Sequence, residues 1–207
     1  AQAFNEDLSG WHVSHVTNMN GMFYNTKVFN KPLSGWNVSA VTSMNSMFNG
    51  AQAFNSSLLW GAATANVQDM GYMFYNTQAF NQDISGWDVS KVTAMNNMFT
   101  YAKVFNQPLN EWGSKTAGVT NMTSMFQEAP AFNQNIGDWD ISKVTNANYF
   151  MYNKRLARVN YDSLLLGWSN LVTGETQVPA NLNVEFGTSK YSNAPAVIAA
   201  RAYLTGT

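Results

Sequence analysis

Ala79-Phe80-Asn81-Gln82-Asp83-Ile84-Ser85-Gly86-Trp87-Asp88-Val89-Ser90-Lys91-Val92-Thr93-Ala94-Met95-Asn96-Asn97-Met98-Phe99 is one unit of a pattern that the chain writes six times. The pair Phe-Asn begins each unit, with its Phe at Phe4, Phe29, Phe54, Phe80, Phe105 and Phe132, at intervals of 25, 25, 26, 25 and 27 residues. A branched aliphatic follows at Leu8, Leu33, Leu58, Ile84, Leu109 and Ile136. Then come a Trp (Trp11, Trp36, Trp60, Trp87, Trp112, Trp139) and a Val (Val16, Val41, Val67, Val92, Val119, Val144). Two Met slots and a second Phe close the unit, and all 11 Met residues of the chain fall in that segment. A fixed period of this length means repeated supersecondary units that bury their apolar faces by stacking.

Departures from the pattern carry information. Copies three and five hold extra residues between Trp and Val, Gly61-Ala62-Ala63-Thr64-Ala65-Asn66 and Gly113 to Gly118, which reads as a loop that tolerates length. In copy six Ala147, Phe150 and Met151 take the Met, Met and Phe slots, so side-chain volumes are exchanged where the stack ends.

Two periodicities alternate inside a copy. Val16, Met19, Met22 and Phe23 fall at i, i+3, i+6 and i+7, which predicts one face of a short helix. The stretch from Phe4 to Trp11 is extended and turn-rich and predicts one short strand. Strands stacked about 4.8 Å apart would give a pile roughly 30 Å long. The expected architecture is an α/β repeat, a right-handed solenoid of six coils over residues 1–153 with an α+β capping module over 154–207. Asn5, Asn30, Asn55, Asn81, Asn106 and Asn133 are read as a ladder at an inward corner, each amide satisfying backbone groups of the next coil. The Trp and Met columns are read as core.

The string from Phe80 to Phe99 resembles the repeat of BspA-like leucine-rich-repeat surface proteins, of the mycoplasma and bacteroidetes type, and the likeness covers residues 1 to about 153. Asn160-Tyr161-Asp162-Ser163-Leu164-Leu165-Leu166-Gly167-Trp168, followed by Tyr191 and an Ala/Arg-rich helix, resembles the closing module of bacteroidetes-type members. The resemblance implies a leucine-rich-repeat-like fold, export, a surface or adhesive role and no catalytic residues.

In the cap, Asn160 is expected to N-cap a helix with Leu164, Leu165, Trp168 and Leu171 as its apolar stripe. Leu182, Val184 and Phe186 alternate as a strand would. Pro195 suits the first turn of a last helix carrying Ala196, Ile198, Ala199, Ala202 and Tyr203. The chain starts Ala1-Gln2-Ala3-Phe4 with no Met and no matching cap, so further repeats or another domain are expected to precede it.

Composition narrows the functions. Only 11% of residues are charged and the net charge is -1, which removes the electrostatic basis for binding nucleic acid or anionic membranes. There is no Cys, hence no disulfide, thiol nucleophile or thiolate metal site. No apolar run is long enough to span a bilayer, so no membrane insertion is expected. His12 and His15 lack metal-ligand partners and read as solvent-facing loop residues. Asp83, Asp88, Asp138 and Asp140 gather in copies four and six, but an incomplete oxygen set makes them turn acids before calcium ligands. No cofactor, metal or catalytic residue is assigned.

What remains is surface that varies between copies. The residues after each Asn include Glu6, Asp7, Lys31, Ser56, Gln82, Asp83, Gln107 and Gln134, placed on the strand side, which is the concave binding face of leucine-rich-repeat folds. A second column follows the Met-Phe pair and offers Tyr24, Tyr75 and Tyr152, suited to adaptable recognition or stacking on sugars. The expected function is an extracellular or cell-surface adhesion module for a protein or glycan ligand. The alternative is self-association as a structural subunit of a filament, sheath or matrix. Ice binding through Thr17, Thr42, Thr93, Thr120 and Thr145 ranks below both, because Gln68 interrupts the column and a helix is expected beside it.

Overall fold

The computed structural model describes residues 2–170, 179 and 182–206. Successive copies lie on one another in parallel, joined by single-residue bridges Asn18↔Ser43, Ser43↔Asp69, Asp69↔Ala94, Ala94↔Asn121 and Asn121↔Asn146. The bridges run through the segment expected to be helical, and Phe4 to Trp11 contains no strand. Both local expectations are therefore corrected.

The backbone explains why the i, i+3 spacing misled. Two positions per copy sit in the left-handed region. The first column is Gly21, Ser46, Tyr72, Asn97, Ser124 and Tyr149; the second is Asn25, Gly50, Asn76, Tyr101, Glu128 and Asn153. Left-handed residues four apart cannot continue an α-helix. They produce a run of tight turns instead, as in copy one, where Met22, Tyr24 and Thr26 donate N–H to Met19, Gly21 and Phe23 carbonyls. The intervening amides point along the stack: Met19, Gly21, Phe23 and Asn25 donate to Ser43, Asn45, Met47 and Asn49 carbonyls of the next copy. Apolar side chains then recur on the inside of each bend, which imitates helical periodicity without a helix.

That inside is a continuous core. Phe23, Phe48, Phe74, Phe99 and Phe126 stack at 5.3–5.6 Å, and each packs on the Phe of the next copy's Phe-Asn pair at 3.9–4.2 Å. Ring stacking of this kind adds to the area term for burying large aromatics. Phe150 ends the column by turning edge-on to Phe126, at 87°, while Ala147 and Met151 fill the flanking slots without exposure. The two insertions are folded, as 3-10 helices at Gly61–Thr64 and Asn110–Gly118, rather than loose loops. Each sends a buried threonine hydroxyl, from Thr64 or Thr116, to the carbonyl of Asp88 or Asp140 in the following copy.

The cap has two α-helices that pack together, α1 (Arg158–Ser169) and α2 (Pro195–Thr205). Helix α1 begins two residues before Asn160, which therefore does not cap it. Tyr161, Leu164, Leu165 and Trp168 form its buried face; Leu171 lies outside the described residues. Leu182, Val184 and Phe186 are all buried as their alternation predicts, and Val184 bridges in parallel to Ala147. Helix α2 starts at Pro195 as expected but buries Val197, Ala200 and Leu204, leaving Ile198 and Tyr203 exposed. Ala196, Ile198, Ala199, Ala202 and Tyr203, the residues picked out in sequence for this helix, all lie on its exposed face. One cluster of buried side chains extends from Leu8 to Leu204.

Candidate functional site

The asparagine column is a ladder, at the rim rather than at an inward corner. The backbone N–H of Asn30, Asn55, Asn81, Asn106 and Asn133 each donates to the side-chain oxygen of the Asn one copy earlier, at 2.8–3.0 Å. The column runs from exposed at Asn5, Asn30 and Asn55 to half-buried at Asn81, Asn106 and Asn133.

This ladder absorbs part of the face that sequence reasoning set aside for binding. Gln134 Nε2 donates to the carbonyl and side-chain oxygens of Asn106, and Gln107 Nε2 to the carbonyl of Asn81. Gln82 Nε2 reaches Asn55, and the Ser56 hydroxyl reaches Asn30. All four are half-buried and serve the previous copy. Asp7 and Asp83 accept the N–H of Ser9 and Ser85 in local turns, and the backbone bond from Ser9 holds the Asp7 carboxyl below its ordinary range. Asp88 and Asp140 do the same for Ser90 and Ser142. Side-chain and backbone bonds from Ser90 pull the Asp88 carboxyl down, aided by Lys115 and Lys91. Asp138 is exposed. Glu6 is exposed and Lys31 half-buried. Because the parallel bridges run elsewhere, none of these residues lies on the bridged side of the stack, and the strand-side placement is corrected. Exposed His12 and His15 stand near no ligand set; among the described residues no group of three His, Asp or Glu could hold a metal ion. Thr17 and its counterparts flank the bridges, not a helix, and the hydroxyls of Thr42, Thr93, Thr120 and Thr145 donate to the carbonyl one copy back.

The tyrosine column behaves differently. Tyr24 is 56% and Tyr152 43% exposed, and Tyr75 is half-buried. The structure adds three tyrosines that sequence reasoning passed over. Tyr72 packs on Tyr75 at 5.7 Å, Tyr101 meets Tyr75 edge-on at 5.6 Å, and Tyr149 meets Tyr152 edge-on at 5.8 Å. Partial burial, together with Tyr101, Tyr72 and Tyr24 nearby, pushes the Tyr75 phenol up. The three added residues share a backbone feature: Tyr72, Tyr101 and Tyr149 have φ of +57° to +58°. A bulky side chain there costs about 1–2 kcal/mol, and other copies fill the same columns with Gly, Asn, Ser or, once, Glu128. Only the backbone reveals this signal, since Tyr at these places breaks no apolar pattern.

Copies of about 25 residues, bridged in parallel and tied by side-chain ladders, define a stacked repeat protein. The chain belongs to the family described as Mycoplasma protein of unknown function, DUF285, which matches residues 1–62 and 59–163. No curated protein and no solved structure matches it. No described helix is long and apolar enough to cross a membrane.

Proposed function

We propose that this chain is a non-catalytic interaction module, exposed at the cell surface or secreted, that binds a protein or glycan ligand through the tyrosine-bearing face of its repeats. In this reading the copies wind as a right-handed leucine-rich-repeat-like solenoid of the BspA type, a scaffold that presents equivalent positions at a constant spacing. The observation that carries it is the placement of Tyr72, Tyr101 and Tyr149 in left-handed backbone, with Tyr101 and Tyr149 exposed. Backbone strain without compensating burial is expected at recognition sites rather than in scaffolding. Tyrosine supplies a large rigid contact surface at low entropic cost, which suits adaptable recognition.

The test is binding of the purified chain to an array of glycans and extracellular-matrix proteins, against a Tyr75→Ser/Tyr101→Asn/Tyr149→Asn variant. Replacing Gln82, Gln107 and Gln134 would be a poor control, because it would also break the ladder. A ligand retained by the wild type and lost by the variant supports the reading. A ligand bound equally by both removes the tyrosine face as the site. Concentration-dependent polymers with no ligand retained would favour the filament or matrix role instead.

A further inference from the structure

Beside Tyr75 three consecutive copies contribute matched residues to one shallow groove of about 270 Å³. Asn76, Tyr101 and Glu128 come from the second left-handed column, and Gln78, Lys103 and Pro130 stand two residues further on in each copy. Neighbouring positions therefore offer an amide pair, an aromatic ring beside an ammonium, and a carboxylate beside a pyrrolidine ring, one set per coil. The Gln78 amide donates to the Asn76 side-chain oxygen at 3.0 Å, which fixes the direction of that pair. The Tyr101 ring is held by its edge-on contact with Tyr75.

We infer that this groove binds an extended β-1,4-linked oligosaccharide, laid along the stack axis with successive sugar rings over successive coils. The inference rests on the recognition reading above and gives its ligand a chemical class. Neutral sugars need an aromatic ring for their C–H faces and a close-set mixture of amide, carboxylate and ammonium groups for their hydroxyls. Those groups are what the three coils supply. A protein partner would want a desolvated apolar anchor pocket at its centre, and this groove is shallow and mixed in polarity. The geometry also selects a chain shape. Parallel strands repeat about every 4.8 Å, close to the ring-to-ring advance of an extended β-1,4 chain, so each coil meets one ring, successive rings presenting opposite faces to coils that carry different side chains. A coiling α-1,4 chain drifts out of register.

The experiment is isothermal titration of the whole chain with cellohexaose and chitohexaose, with maltohexaose as the control of other shape. Saturation-transfer difference NMR would map which sugar protons contact the protein. Tyr101→Asn is the decisive variant, because Asn25, Asn76 and Asn153 already occupy the same left-handed column. Its melting temperature should stay level or rise, which separates lost binding from lost folding. The expected result is that at least one β-1,4 hexasaccharide binds, that Tyr101→Asn weakens it tenfold or more, and that maltohexaose is bound at least tenfold more weakly. Binding unmoved by Tyr101→Asn, or equal binding of maltohexaose, overturns the groove assignment. If neither β-1,4 chain binds, the saccharide inference falls. A matrix protein whose binding still depends on Tyr75 would then leave the recognition reading standing, whereas no tyrosine-dependent ligand of any kind would bring both down.

Discussion

Helix α1 and the coils it covers solve the same problem with different backbones. A coil entering the stack must satisfy an Asn side-chain oxygen and the carbonyl of a Leu or Ile on the coil before it. Coils do so with the N–H of their own Asn and with a Trp indole: Trp112 Nε1 donates to Ile84 and Trp139 Nε1 to Leu109. The cap meets those positions with Ala157 N–H on Asn133, at 2.7 Å, and Trp168 Nε1 on Ile136, at 3.0 Å. Asn160 Nδ2 takes over the role of Gln107 and Gln134, donating to the Asn133 carbonyl. The bridged side is closed likewise, by Val184 against Ala147 and by Met151 N–H on the Glu185 carbonyl. What propagates along the stack is a set of donor positions, not a conformation. A helix that presents them can terminate the pile and leave its other face to α2.

The sharpest way to break that equivalence is at the contact a coil never makes. Gly167 of α1 lies so close to the copy-six backbone that a Cβ there would sit 2.0 Å from the Gly137 carbonyl oxygen, and one on Gly137 would sit 2.4 Å from the Ser163 carbonyl oxygen. Backbone cannot yield as a flexible side chain can. Gly167→Val should therefore cost about 3 kcal/mol or more and detach the cap. Hydrogen exchange should show lost protection in α1 and α2 while copies two to four stay protected. Protection retained throughout would show that the helix can shift without leaving the stack.

Next in size is the ladder. Asn106 accepts two bonds, from Asn133 N–H and Gln134 Nε2, whereas Asn5 accepts one from Asn30 at an exposed end. Asn106→Leu should cost about 2 kcal/mol and Asn5→Leu less than about 1 kcal/mol, measured by denaturant midpoint. Equal losses would mean that the ladder is decoration on an aromatic core. Comparable in size is Trp168→Phe, which keeps an aromatic ring but gives up part of the buried indole and its bond to Ile136, for about 2 kcal/mol. Trp112→Phe should match it if helix and coil are equivalent at this position.

The left-handed columns give effects of opposite sign in different copies. Tyr149→Gly relieves a strained residue and should raise stability by about 0.5–1 kcal/mol, less than the full strain because glycine gains entropy in the unfolded chain. Gly50→Ala should lower stability by a similar amount, at φ +72°.

The parts of the molecule that were legible in sequence are those written once per copy. The six Phe-Asn pairs, the Trp column and the Met slots announced a stack, an amide ladder and a buried interior, which the Trp column joins from Trp36 onward, while Trp11 in the first copy is 55% exposed. The ladder's direction and the cap's use of Trp168 were not legible, because α1 carries the Trp without the rest of the motif. The helix expected from Val16 to Phe23 failed for a physical reason: a left-handed residue at Gly21, Ser46 or Asn97 leaves the apolar spacing untouched while reversing the chain's twist. The tyrosine face was only half legible. Tyr24, Tyr75 and Tyr152 follow the Met-Phe pair and could be counted, but Tyr72, Tyr101 and Tyr149 come into contact with them only through the turns. The glutamines chosen from their variability proved to be rungs, since a side chain bonding one copy back can vary among Ser and Gln and still do its work.

The last comparison sits in one column. Thr26, Ala51, Thr77, Ala102 and Ala129 each follow a left-handed residue and are buried; at the seam with the cap Lys154 takes that place, 3% exposed. Its ammonium donates to the carbonyls of Pro130 and Arg155, at 3.3 and 2.6 Å, and burial pushes its pKa down to about 8. The folded chain thus gives up this proton well before the unfolded chain, whose lysine titrates near its ordinary 10.5. Between those values the unfolded state binds more protons, so stability must rise with pH. Integrated from pH 7.5 to 9.5, a shift of that size is worth about 2 kcal/mol, so a gain of about 4–7 °C in melting temperature is expected. Asp7 and Asp88, held below the ordinary carboxylate range, are flat across that window, and Tyr75 and Tyr161 titrate above it. Lys154→Met should abolish the slope. A slope that persists in Lys154→Met would assign it to another group and make Lys154 a packed side chain like the Thr and Ala residues that precede it in the column.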